Sequence, residues 1–279
     1  MDLKVVQFDK ADGVGTVMLN RPERLNAWTG RMELEYRWCM QEADADPDVR
    51  VIVLTGAGRG FCSGADFQAL DRNSEAGVYS RGVSAEEIAT TRPGVGVRAD
   101  FEHPHTFMLG LRKPVIAAVN GPAAGVGFVL MAFADIRFAA AGAKLTTAFG
   151  RLGLPAEHGV AWILSRTIGP ARAADLLFSA RVVLAEEAAA MGLVNQVVAP
   201  EELMAYTYDY ARAMARDISP VSLLRMKRQL YFDLMRDLGP AAAEALDLME
   251  QAVPAHSFKE GVAAFQEKRA PNFSPLPPP

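Results

Sequence analysis

Cysteine is scarce in this chain: Cys39 and Cys62 are the two among 279 residues. Two thiols so placed make neither a disulfide framework nor a metal-binding pattern, and they suit a reducing compartment. An excess of one charge is also missing. Lys and Arg number 29 against 33 Asp and Glu, a formal net charge of −4. No basic run or interleaved aromatic patch breaks that balance, so no nucleic-acid partner is expected. The longest apolar run falls well short of the ~20 residues that cross a bilayer, so no membrane partner is expected either. Met1-Asp2-Leu3-Lys4 leads straight into a strand-like segment with no secretory pattern. The expectation is a soluble cytoplasmic protein. Half the residues are apolar, enough for a sizeable core in one large domain or a domain with an appendage.

What is present is organised around VIVLTGAGRGFCSGAD, Val51 to Asp66. The apolar, β-branched run Val51-Ile52-Val53-Leu54-Thr55 reads as a buried strand. Gly56, Gly58 and Gly60 then turn the chain sharply toward a short helix. A strand that hands a Gly-rich backbone to a helix start leaves peptide N–H groups unpaired, and such groups bind developing negative charge. Pro114 to Asn120 repeats the plan, followed by Gly121-Pro122-Ala123-Ala124-Gly125-Val126-Gly127 and the apolar run Phe128 to Phe133. Two such units can each aim one N–H at a single oxygen, as an oxyanion hole requires. The same pattern also suits two tight turns of an ordinary α/β sheet.

Around these units the chain reads as follows. Val5 to Asp9 and Val14 to Asn20 flank an Asp12-Gly13 turn, a hairpin signal. A helix starts near Thr29, a good N-cap, with Met32, Tyr36, Cys39 and Met40 on one face. Asp71 to His105 carries Gly77, Gly82, Gly94, Gly96 and scattered charges without clear periodicity, which reads as a long lid or binding loop. His103 and His105 are spaced to hold a metal, but no third ligand accompanies them, so no metal site is expected. Asp135, between apolar neighbours, reads as a buried, hydrogen-bonded structural acid. Beyond Pro200 strands stop. Residues 201–217, 221–238, 241–252 and 257–269 read as helices broken at Pro220, Gly239-Pro240 and Pro254.

Phe61-Cys62-Ser63-Gly64-Ala65-Asp66, Ala118 to Gly125 and Ala134-Asp135-Ile136 resemble the enoyl-CoA hydratase/isomerase family. The likeness runs from Asn20-Arg21-Pro22 with Asn26-Ala27 to Phe258-Lys259-Glu260-Gly261, Phe265 and Lys268-Arg269. It implies an α/β crotonase (ClpP-like) fold, a spiral of repeated β-β-α units. Residues 1–200 would form the core with the acyl-CoA site, and 201–279 a helical region building a homotrimer or homohexamer. It further implies an acyl-CoA substrate and no cofactor beyond the coenzyme A of the thioester, whose carbonyl oxygen would rest on the N–H groups of Ala65 and Val126. Arg24, Leu25 and Ala27 match the loop that contacts the nucleotide of coenzyme A. Asp66 and Phe67 would border the adenine and pantetheine. Phe265 and Lys268 match the C-terminal helix, whose lysine meets a phosphate or, on the plainer reading, solvent. The 71–105 segment would cover the acyl end.

Hydratases of the family use two glutamates. Val129 stands at the first position and Phe149 or a close neighbour at the second, and neither residue can move a proton. Glu157, four residues after Gly153, matches the single acid of an isomerase branch. One carboxylate suffices to move a double bond. The plainer reading is an acid favouring the macrodipole of the next helix, and His158 beside it reads as structural or as a second polar group. Cys62 reads as packing. The expectation is therefore double-bond isomerisation at Glu157. The alternatives are hydration, a non-catalytic acyl-CoA-binding homo-oligomer and, more weakly, hydrolysis of a C–C or thioester bond.

Overall fold

A computed structural model describes residues 1–91, 93 and 98–277. The chain opens with the hairpin β1 (Val6–Ala11) and β2 (Val14–Leu19), turning at Asp12 and Gly13, both with positive φ. Helix α1 (Gly30–Ala45) follows, its N-cap Thr29 accepting the Met32 N–H at 3.2 Å. Then come β3 (Val51–Gly56), α2 (Phe67–Ala76), α3 (Ala85–Ala89), β4 (Val115–Val119), β5 (Ala123–Ala124) and α4 (Val126–Phe133). The middle of the chain supplies β6 (Ile136–Ala140), β7 (Lys144–Thr146), α5 (Val160–Ile168), α6 (Pro170–Ser179), β8 (Val183–Leu184), α7 (Ala185–Ala190) and β9 (Gln196–Val198). Four helices end it: α8 (Leu203–Asp217), α9 (Pro220–Asp233), α10 (Leu238–Ala252) and α11 (His256–Glu267).

Among the described residues the main sheet runs β1-β2-β3-β4-β6-β9, antiparallel at β1–β2 and parallel elsewhere. A parallel strand covered on both faces needs apolar residues at every position; β3 and β4 are buried throughout. The small sheet β5-β7-β8 stands beside it. Helix α4 is buried on all sides, as a helix apolar all round must be. Helix α8 packs against β2, β3, β4 and β6. Asp135 is the structural acid the sequence suggests: its carboxylate accepts the Val115 N–H at 2.6 Å, Lys227 Nζ at 2.8 Å and the Tyr231 hydroxyl at 2.7 Å. It thereby ties α9 to the end of β4.

Two expectations need correction. The 71–105 segment is not structureless. It holds the end of α2, helix α3 with a capping box between Ser84 and Glu87, and a 3-10 turn at Ala99–Phe101; these elements are too short to give periodicity. Gly94 and Gly96 lie outside the described residues. Gly239-Pro240 does not separate two helices but lies in the first turn of α10, where the N–H that proline lacks would have no partner anyway.

Candidate functional site

The two Gly-loop units are joined to each other. The Phe61 and Cys62 N–H groups donate to Pro122 O, and the Ala124 N–H returns to Cys62 O at 3.0 Å. Cys62 and Ala123 form a parallel bridge. At Gly127 the approach is too close for a side chain: a Cβ there would lie 2.0 Å from Cys62 O. Gly125 has φ +50°, a region side chains disfavour. Replacing Gly127 with Ala forces α4 off the Cys62 segment. The expected loss is roughly 1–3 kcal/mol or more, read as a lower denaturant midpoint; an unchanged midpoint would show that the two loops are not locked together.

This stitching sets Ala65 and Val126 on one cavity of about 550 Å³. In the bridge between Trp28 and Ala65, the Trp28 N–H donates to Gly64 O and the Asp66 N–H to Trp28 O. The N–H of Ala65 therefore points the opposite way. Val126 opens α4, so its N–H is one of the unpaired donors of a helix start. Val129 lies in the same helix, wholly buried, and Phe149 is buried as well.

Glu157 and His158 line the same cavity. Both belong to a short 3-10 turn, Glu157–Gly159, in which His158 has φ +55°. Among the described residues nothing donates a hydrogen bond to the Glu157 carboxylate, and burial alone raises its pKa. His158 meets His105 edge to face at 4.4 Å, and His105 meets Trp28 at 5.5 Å. Burial, then Arg81, brings His158 down to about 4. Burial first, then His158, Arg81 and Arg37, holds His105 well below the usual histidine value. Both rings are neutral at physiological pH. The raised Cys62 thiol, at about 12 through burial, is inert.

The remaining sequence candidates are more scattered. Phe67 lines the cavity and is 77% exposed. Asp66 caps α2 and pairs with Arg21 at 3.1 Å. Arg24, Leu25 and Ala27 form a loop against the Gly56–Gly60 turn. It is held by Asn26, whose side chain donates to Ala57 O and Gly60 O. Phe265, 87% exposed, and Lys268 lie on or just after α11, away from the cavity. His105 belongs to the cavity wall, and among the described residues no group of three or more metal-ligating side chains exists.

Sequence reasoning missed Trp28, Glu33, Tyr79 and Arg81, which also line the cavity. One signal for Glu33 was available. It shares the i, i+3, i+7 stripe of α1 with Tyr36 and Met40, and a carboxylate in an apolar stripe needs a reason. Arg81 reaches Glu33 because its loop packs on the first turn of α1: a Cβ on Gly30 would lie 2.7 Å from Arg81 O.

Known proteins resemble this chain along most of its length. The family model described as enoyl-CoA hydratase/isomerase matches residues 9–275. A 1,2-epoxyphenylacetyl-CoA isomerase of Escherichia coli is 36% identical, over 94% of this chain and 95% of its own length. A probable enoyl-CoA hydratase of Mycobacterium bovis, echA12, is 38% identical over 94% and 89%. An enoyl-CoA hydratase structure from Bacillus anthracis superposes with a TM-score of 0.82 at 28% identity, covering 97% of this chain and 99% of that one. The EchA12_1 structure from Mycobacterium marinum has a TM-score of 0.65 at 42% identity, covering 83% and 99%.

Proposed function

This chain belongs to the enoyl-CoA hydratase/isomerase family, and we propose that within it the protein shifts a carbon–carbon double bond in an acyl-CoA thioester. It is an enzyme of crotonase fold; the isomerisation, the residues and their roles are our reading. Glu157 removes a proton from C2 of a 3-enoyl-CoA. The electrons move into the conjugated enolate, and the negative charge on the thioester oxygen rests on the N–H groups of Ala65 and Val126. The same carboxyl returns the proton to C4, and the double bond moves from C3–C4 to C2–C3. Each oxyanion donor typically supplies about 100- to 1000-fold in rate.

The observation that carries this reading is Glu157 itself. It stands on the wall of the cavity that Ala65 and Val126 also line, with its pKa raised by burial. A desolvated carboxylate is the better base near neutral pH. Val129 and Phe149, where a hydratase of the family has its acids, are buried and apolar. Hydration is a second reading, favoured by the further carboxylate Glu33 on the cavity. The test follows 3-enoyl-CoA and 2-enoyl-CoA side by side. The 3-enoyl substrate is expected to be isomerised faster than the 2-enoyl substrate is hydrated; the reverse order would sink the isomerase reading.

The coenzyme A contacts of Arg24, Leu25, Ala27, Asp66, Phe67, Phe265 and Lys268 are part of the same proposal. So is assembly through the helical tail. Helix α10 buries none of its residues within the chain, and Leu238, Leu246, Met249, Val253, Phe258, Val262 and Phe265 are exposed along α10 and α11. Apolar surface of that extent marks an interface. Sedimentation is expected to give a trimer or a pair of trimers, placing Phe265 and Lys268 beside a neighbouring subunit. A monomer at micromolar concentration would remove this part of the reading.

A further inference from the structure

Four buried side-chain atoms among the described residues have no hydrogen-bond partner: Glu33 Oε1, Tyr36 Oη, Arg37 Nη1 and His105 Nδ1. They are not scattered. Three lie on the first two turns of α1, and the ring of Trp28 lies 5.5 Å from both Tyr36 and His105. Folded chains rarely leave buried polar groups unpaired, and each orphan needs an explanation. Here the explanation is local, because Glu33 and His105 line the cavity that Glu157 also lines.

Glu33 is the sharper case. It is 4% exposed, and Oε1 lies 3.9 Å from Arg81 Nη1, too far for a hydrogen bond. Burial raises its pKa, and outweighs the opposing pull of Arg81, Arg37 and the Trp28 side chain. Packing Gly30 against the Arg81 backbone fixes this spacing. A plain alkyl chain in the cavity would leave Oε1 without a partner. A group able to donate a hydrogen bond would satisfy it.

We propose that the cavity selects acyl groups bearing a hydroxyl, and that Glu33 is the specificity-determining residue that accepts its hydrogen bond. This rests on the acyl-CoA reading of the site and names its substrate class. A hydroxyl also accepts, so it can serve the nearby Arg81 or a histidine N–H at the same time. Glu33 thus recognises the acyl group while Glu157 moves the proton.

The test is calorimetric binding of unreactive saturated thioesters to the full-length protein. Hexanoyl-CoA and octanoyl-CoA are compared with their ω-hydroxy counterparts. At one of the lengths the hydroxylated form is expected to bind roughly 5- to 150-fold tighter, the worth of one buried hydrogen-bond partner. Glu33→Leu should abolish the preference between the plain and hydroxylated forms. Glu33→Gln, which keeps an accepting oxygen and guards against a folding failure of the leucine variant, should retain part of it. Equal affinity of wild type for both forms at both lengths would overturn the inference and leave the acyl-CoA reading intact. Failure to bind any acyl-CoA would instead overturn that reading. A Glu33→Gln variant with kcat lowered alike on plain and hydroxylated enoyl-CoAs would make Glu33 part of the proton transfer, which also overturns the inference.

Discussion

Glu157→Gln is expected to lower the turnover of a 3-enoyl-CoA by roughly 100- to 10,000-fold, the usual worth of a positioned acid–base group. The amide keeps the size of the side chain and removes the base. Acyl-CoA affinity should change little, since the two donors proposed for the thioester oxygen are backbone groups that no side-chain change removes. Wild type should also show an acidic limb in kcat/KM lying above the ordinary glutamate value of 4.5, because burial raises the Glu157 pKa. Activity falls below that limb as the base takes up its proton. No second inflection is expected near 6.5, since burial keeps both His158 and His105 neutral there. The measurement is a pH profile of wild type beside single-turnover rates for the variant. A variant that turns over within tenfold of wild type would remove Glu157 from the chemistry.

The second large effect is on stability in mild acid. His158 has a folded pKa of about 4 and His105 one well below 6.5, while both titrate near 6.5 in the unfolded chain. Between those values the unfolded chain binds protons that the native chain refuses. The native state is therefore most favoured above pH 6.5 and loses stability as pH falls toward 4. The slope is about 1.4 kcal/mol per pH unit for each histidine. The rings touch, so they titrate as a pair. Glu33 and Glu157 act in the opposite sense: their raised pKa values let the native chain take up protons above 4.5, which offsets part of the slope. Urea midpoints at pH 7.5, 6.5 and 5.5 should fall with pH for wild type. They should fall less for the double variant His105→Asn, His158→Asn. Parallel pH dependences would show that the histidines are not held neutral by the fold.

Much of the fold was open to reading because its signals are local. The β-branched runs of β3 and β4 need burial on both faces, Asp12-Gly13 needs a hairpin turn, and Thr29 caps its helix wherever α1 is packed. Short elements escaped. Helix α3 spans five residues, too few for a period, and Pro240 reads as a break because sequence does not say whether a proline falls in a first turn or an interior.

The site divides along the same line. Glycine spacing and the order of motifs determined in the sequence alone that two strands would hand over through Gly-rich turns to helices, since a missing Cβ and a strand-to-helix handover are properties of neighbours in the chain. The absence of acids at 129 and 149 was equally legible. Only the tertiary structure decided what lines the cavity with Ala65 and Val126. Glu33 on α1, Arg81 beyond α2 and His105 before β4 come from distant segments, and they meet because Gly30 admits the Arg81 backbone and Trp28 packs on His105. Their pKa shifts are decided in the same way: burial is a property of the packed molecule, and no residue carries it in its own sequence neighbourhood.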